Sequence, residues 1–254
     1  MAHISTEVKN RIAFVGLNRA EKKNALTAQM YRELGQAIAS AEGDSQVRAI
    51  LIHGQQDCFC AGNDLKDFLD NPPRSKDSPV FVFLQQISSA TKPIVAAVSG
   101  VAVGIGTTML LHCDLVYASP DARFQLPFTS LGVVPEAGSS LLLPKMAGYH
   151  RAAELLLLSK PFDVDKALSA GIITGVVGAE ELLAYATGVA TALAALPPAS
   201  VQLTKRLMKQ HDAANVGKRI VEESEVFGER LNSPEAKEAF TAFLEKRKPD
   251  FSRF

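Results

Sequence analysis

Cysteine is scarce in this chain. Cys58, Cys60 and Cys113 are the only three in 254 residues, an odd number in a C-x-C plus one arrangement that fits neither a disulfide framework nor a zinc site. They read as reduced, packed thiols. Net charge is absent too, with 27 Lys and Arg against 27 Asp and Glu, so there is no electrostatic footprint for nucleic acid or anionic lipid. Long apolar runs are missing: "LLLL" at 155–158 falls far short of a membrane span. The start, "MAHISTEVKNRIAF", lacks a basic region followed by an apolar run, and the terminal "SRF" is not the peroxisomal Ser-Lys-Leu address. A cytoplasmic protein that binds neither nucleic acid nor membrane is expected. Neither the G-x-G-x-x-G nor the P-loop pattern occurs, and Ser139 and Ser140 lack a G-x-S-x-G elbow. His53 and His112 have no partner at metal spacing, so both read as structural histidines and no metal is expected.

What is present is a core. Apolar residues make up 47% of the sequence, enough for a chain of this length to fold without metal or disulfide. "RIAFVGL" (11–17), "VRAILIHG" (47–54), "PIVAAVSG" (93–100) and "DLVYAS" (114–119) read as strands of a sheet covered on both faces. Between them, 27–43 and 78–92 place apolar residues at helical spacing. From about Ser159 the pattern turns helical, apart from a strand signal in "GIITGVV" at 171–177, and the Pro197-Pro198 pair marks a break. The fold class is α/β with a helical C-terminal region that packs on the body or on another subunit. "DNPPRSKDSP" (70–79) combines prolines with charge and reads as a mobile surface loop. No sequence repeat is visible.

Two glycine-rich segments stand where a strand turns into a helix. In "CFCAGNDLKDF", Ala61-Gly62 precede a helical pattern beginning at Asp64, Leu65 and Phe68; in "VSGVAVGIGTTMLLHCD", the strand 93–99 passes through Gly100, Gly104 and Gly106 into an apolar helix. Each offers backbone N–H groups at a helix start, suited to a phosphate or a developing oxyanion, and each also serves as ordinary turn chemistry. Asp64 reads equally well as a helix cap, Ser139 and Ser140 as N-capping residues, and Lys22 and Lys23 as a solvated turn. In "LGVVPEAGSS" the carboxylate of Glu136 follows an apolar run and precedes a Gly-Ser-Ser helix start. It either favours that helix start, at ~0.3 to 1 kcal/mol, or does chemistry in an apolar place.

Together, "LNRAEKKNAL", "FCAGNDLKDF", "KPIVAAVSGVAVGIGTTMLLHCDLVYAS", "ARFQLPFTSLGVVPEAGSSLLLPKMAG", "ALSAGIITGVV" and "FLEKRK" resemble the crotonase, or enoyl-CoA hydratase/isomerase, superfamily over nearly the whole chain. The resemblance implies a spiral of ββα units over residues 1–198 holding an acyl-CoA site, and a helical region, 199–254, that assembles trimers or hexamers. It implies two oxyanion donors, the backbone N–H groups of Asn63 and Ile105. Around the acyl-CoA thioester it places Lys23, Ala25, Ala61, Gly62, Asp64, Leu65, Gly104, Thr108, Phe128 and Val133, with Phe243 and Lys246 toward the adenine and phosphate end. Phe128, Val133, Val134 and Met109 are expected to wall an apolar acyl pocket. No separate cofactor is implied, coenzyme A being part of the substrate.

The superfamily's typical hydratases use two glutamates, whose positions are here Thr108 and Phe128. "GNDL", "VGIGTT" and "PEAGSS" instead look like the Δ3,Δ2-enoyl-CoA isomerase branch of fatty acid metabolism, whose catalytic glutamate corresponds to Glu136. Moving a double bond from the 3,4 to the 2,3 position takes one base, to carry a proton from C2 to C4, and one oxyanion hole. Adding water calls for two positioned acid/base groups. A hydratase, another thioester-enolate reaction, or a non-catalytic acyl-CoA-binding member are the alternative readings.

Overall fold

The computed structural model describes residues 3–55, 57–70 and 77–254; most of the expected mobile loop, 71–76, lies outside them. The chain opens with an antiparallel hairpin, β1 (Ile4–Lys9) on β2 (Ile12–Leu17), Ile4 opposite Leu17. Asn10 and Arg11 both turn at positive φ, 51° and 65°, which suits the twist of a two-residue hairpin. β1 exposes five of its six residues, so it carries no apolar run for a sequence reading to find.

A repeated unit follows. Strands β3 (Ala49–His53), β5 (Ile94–Val98) and β7 (Leu115–Ala118) lie parallel, and with β9 (Gly175–Val176) they extend the hairpin into a six-stranded sheet of order β1-β2-β3-β5-β7-β9. Strands β4 (Cys58–Cys60), β6 (Val101–Val103) and β8 (Arg123–Gln125) form a second, parallel sheet in that order. Each successive unit therefore gives one strand to each sheet. Helices α1 (Ala28–Gly43), α2 (Leu65–Asp70), α3 (Pro79–Ser89) and α4 (Ile105–Thr108) connect the units. This is the winding of a ββα spiral. One expectation is corrected: the strand at 93–99 does not run straight into a helix, because β6 intervenes after the turn at Gly100.

The remainder is helical: α5 (Ser139–Ala147), α6 (Tyr149–Leu158), α7 (Val164–Ser169), α8 (Leu182–Ala195), α9 (Pro198–Leu231) and α10 (Pro234–Leu244). Pro198 occupies the first turn of α9, where its missing N–H costs nothing. α8 covers one face of the large sheet, its Leu182, Ala186, Ala190 and Ala194 clustering with Ile12, Ala49, Leu51, Val95 and Ala97. Val15, Ile50, Ile52, Ile94, Ala96 and Val98 belong to the main core. Burial on both faces is why these strands read as continuous apolar runs.

The helical region 199–254 has no separate core. Val216, Ile220 and Phe227 of α9 and Ala236 and Phe240 of α10 join the main core. Buried Lys205 reinforces the attachment, donating from Nζ to the Lys92 carbonyl at 2.7 Å and to Asp114 Oδ2 at 2.7 Å. No single helix among the described residues is long and apolar enough to cross a membrane. All three cysteines are free. Burial first of all pushes the thiols up, Cys58 to about 11 and Cys60 and Cys113 to about 12.

Candidate active site

The glycine segments meet because their strands are neighbours. β4 and β6 run parallel in the small sheet, so both chains leave it at the same end. Gly62, after β4, has φ +96°, and a Cβ there would stand 3.0 Å from the Val103 carbonyl oxygen. Gly106, in α4, approaches β4 so closely that a Cβ would come within 2.4 Å of the Cys60 oxygen. Only hydrogen at these two positions lets the turns pack on each other. Among the described residues, neither the Asn63 N–H nor the Ile105 N–H donates a hydrogen bond within the chain. Two adjacent free donors at the exits of neighbouring parallel strands make an anion cradle.

Residues 23–26 are strapped along the first turn. Ala61 N donates to the Lys23 carbonyl at 3.0 Å, Leu26 N to Gly62 at 2.8 Å and Asp64 N to Leu26 at 2.9 Å. Buried Asn24 donates from Nδ2 to the carbonyls of Cys58 and Phe59 at 3.0 and 3.1 Å. The structure thus brings Lys23, Ala25, Ala61, Gly62, Asn63 and Asp64 together. The Asp64 carboxylate is occupied locally: it accepts from Arg19 Nη1 at 2.8 Å and from Asp67 N at 3.2 Å. Its pKa is lowered although burial raises it, because the Arg19 and Asp67 hydrogen bonds outweigh that cost. Capping, one of the two readings open for Asp64, is therefore in place. Lys22 and Lys23 are exposed.

Tyr31 of α1 supports the first turn. Fully buried, it donates from its hydroxyl to Asn63 Oδ1 at 2.5 Å. Burial, then the charge of Glu136, hold its pKa well above the usual phenol range, so it remains a donor.

Glu136 is 8% exposed. Its Oε1 has no hydrogen-bond partner, and neither has Oγ1 of fully buried Thr108. Burial above all, then the like charge of Glu223, push Glu136 up to about 8; the Thr108 hydroxyl opposes the rise without reaching a well-formed hydrogen bond. Met109, Phe128 and Val133 are buried at 1%, 4% and 5% exposure, and Val134 is partly buried against the same core. Leu65 is partly buried against the same core. Gly104 caps α4 at positive φ.

The Gly-Ser-Ser start differs from its sequence reading. Gly138 is the N-cap of α5 and supplies no side-chain bond. Ser139 and Ser140 lie inside the first turn, and the Ser139 hydroxyl turns back to the Glu136 carbonyl at 2.6 Å. The free N–H groups go to a residue the sequence did not single out: Glu223 of α9 accepts from Gly138 N at 2.6 Å and Ser140 N at 2.9 Å. Glu136 is therefore not the helix-start acid. A signal existed, since Val216, Ile220, Glu223 and Phe227 are spaced by four, three and four residues on the buried stripe of α9, and an acid in such a stripe asks for a partner.

His112 also has a role that its lack of a metal partner concealed. Its Nε2 lies 2.7 Å from the Ala137 carbonyl, so that nitrogen carries the proton and donates. Burial first, and Lys209 and Lys205 after it, lower its pKa to about 4, leaving a neutral ring. Ala137 needs the hold, being a non-glycine residue at φ +61°, where an L-residue costs ~1–2 kcal/mol.

Phe243 and Lys246 are exposed at the end of α10 and beyond it, and no described hydrogen bond or ion pair joins them to the turns or to Glu136.

Unused backbone donors and a buried carboxylate with an unpartnered oxygen thus stand on elements packed into one core. Residues 7–253 match the family model described as enoyl-CoA hydratase/isomerase. The chain belongs to that family, within the crotonase superfamily, and has its fold. It is 43% identical to the enoyl-CoA hydratase/isomerase of Pseudoalteromonas atlantica T6c, whose crystal structure superposes with a TM-score of 0.95 over 98% of this chain and all of that one. Among curated relatives, it is 31% identical to the short-chain-enoyl-CoA hydratase of Clostridium acetobutylicum, covering 97% of this chain and 96% of that protein. It is equally 31% identical to the 1,2-epoxyphenylacetyl-CoA isomerase of Escherichia coli, over 99% of each.

Proposed function

We propose that this protein is an enoyl-CoA isomerase that shifts the double bond of a 3-enoyl-CoA to the 2,3 position. The thioester oxygen sits between the Asn63 and Ile105 N–H groups, which take up the charge of the dienolate, and such a donor is worth ~2.7–4 kcal/mol. Glu136 removes a proton from C2 and returns it at C4, and no second acid is needed. The observation that carries this reading is the state of Glu136: buried, its Oε1 unpartnered, while Thr108 and Phe128 stand at the two positions where the superfamily's hydratases have glutamates. A proton affinity of about 8 suits a base that must both take and return a proton near neutrality.

The names of the relatives favour a second reading, hydration of a 2-enoyl-CoA, since many are called hydratases. Incubation with a 3-enoyl-CoA and a 2-enoyl-CoA separately decides between them. Isomerisation conserves mass and creates the ultraviolet absorbance of a conjugated thioester; hydration adds a water. Faster hydration than isomerisation would overturn the proposal, and no turnover of either would return the chain to an acyl-CoA-binding role.

The site would be completed by assembly. Leu203, Leu207 and Met208 of α9 and Phe243 and Leu244 of α10 leave 45–71% of their surface exposed, more than isolated apolar residues need. A homotrimer, or a hexamer made of two trimers, would cover them and could bring Phe243 and Lys246 to the coenzyme A end of a neighbour's site. Sedimentation showing only monomer at micromolar concentration would reject this.

A further inference from the structure

Two buried glutamates flank the segment 136–140, and only Glu136 has a role in the reaction proposed above. Glu223 reaches the segment from α9, 83 residues or more away in sequence, and accepts the N–H groups of Gly138 and Ser140 with separate oxygens. The segment is otherwise awkward to hold, with Ala137 and Gly138 both left-handed at φ 61° and 72°. Two further supports are neutral: His112 on the Ala137 carbonyl and Ser139 on the Glu136 carbonyl. Arg219 steadies the same turn by donating from Nη1 to Ser140 Oγ at 3.1 Å.

We propose that Glu223 is a positioning residue for Glu136: it fixes the backbone that presents the base, takes the helix-start N–H groups away from it, and sets a like charge behind it. The inference rests on Glu136 being the base. Its physical content is that a helix start stabilises whichever carboxylate occupies it. With those donors bound to Glu223, Glu136 is left with burial and repulsion, both of which strengthen its hold on a proton. The groups coupled to Glu136 from the packed elements are few: Tyr31 from α1, Cys60 from β4 and Thr108 from α4, all uncharged near neutrality, and Glu223 from α9, on which Arg219 acts in turn. Glu223 is the other acid among them: burial raises its own pKa, while the Ser140 and Gly138 N–H groups and Arg219 favour its charged form.

A titration that needs no substrate tests this. In protein labelled with 13C at the glutamate side-chain carboxyls, the Glu136 resonance is assigned by its loss in Glu136→Gln and should show a midpoint near 8. Glu223→Gln should lower that midpoint by about one unit, the ordinary size of a near-charge effect, and move the acidic limb of kcat/KM with it. Glu223→Asp keeps the charge but is too short to reach both N–H groups. Its midpoint should stay within about 0.3 units of the unmodified protein, while kcat falls several-fold at similar KM. A merely structural Glu223 would lower melting temperature and kcat in both variants with Glu136 titrating as before; that result overturns the proposal. If Glu223→Gln does not fold, Glu223→Asp decides alone, and an unchanged kcat overturns the positioning role. An unmodified protein inert toward 3-enoyl-CoA whose Glu136 midpoint still falls in Glu223→Gln would sink the isomerase reading and leave standing only the hold of Glu223 on the Glu136 proton.

Discussion

Glu136 and Glu238 expose nearly the same small part of their surface, 8% and 9%, but Glu136 lies within the core while Glu238 is covered by the half-exposed side chains of Arg247 and Arg253, and these surroundings drive them in opposite directions. Glu238, in α10, is enclosed by donors. Arg247 grips it with both terminal nitrogens, Nη1 to Oε1 at 2.5 Å and Nη2 to Oε2 at 3.1 Å, and Asp250 N donates at 2.9 Å. Those bonds, Arg247's first, lower its pKa to about 2. Glu136 has an oxygen with no donor at all and rises to about 8. Low exposure alone therefore says little about a carboxylate's task; what covers it decides. A satisfied one clamps the C-terminal tail to α10; an unsatisfied one is left to bind and release a proton near neutrality.

The strongest attempt to break the contrast is Glu136→Gln. The amide keeps size and polarity but not basicity, so isomerase turnover should fall at least about a hundredfold, and exchange of the substrate's C2 protons with deuterated solvent should stop. A well-folded variant turning over at near the original rate would leave the base unidentified. The pH profile of the unmodified protein comes next. Glu136 must be ionised in the free enzyme to act, so kcat/KM with a 3-enoyl-CoA should climb about tenfold per pH unit and level off above about 8. A limb near the ordinary carboxylate range would contradict the buried, unpartnered state.

Stability supplies a third test, with opposite signs at the two glutamates. Glu136 binds its proton more tightly folded than unfolded, so its contribution is complete below about 4.5 and is lost as pH rises toward 8. Glu136→Gln should therefore outlast the unmodified protein at pH 9, by on the order of a few kcal/mol at most, and match it at pH 4. Glu238 behaves in reverse: its contribution is present above about 4.5 and lost as pH falls toward 2. Glu238→Gln should lower the melting temperature slightly at pH 7, the difference shrinking in acid, with turnover preserved. The smallest change is expected at the chain end: Lys246→Ala should raise the KM for CoA esters a few-fold with kcat nearly intact, and an unchanged KM would remove Lys246 from the site.

The spiral itself left little trace in the amino-acid order. Three of its strands, β4, β6 and β8, are three residues long, too short to set up a period, and the units share a path rather than a residue pattern. The long inner strands were legible because both their faces are dry. Residue chemistry likewise announced the two glycine turns, since glycine takes a positive φ without strain and alone leaves room for a neighbouring strand's carbonyl at its Cα, and it announced Glu136 as an acid in apolar company. What that acid does depended on the fold. Whether Glu136 or another carboxylate would take the helix-start N–H groups was decided when α9 packed its buried stripe against the segment and delivered Glu223 to them. Hydrogen-bond ownership is a long-range property: the competitor lies more than 80 residues away, and local sequence contains no term for it.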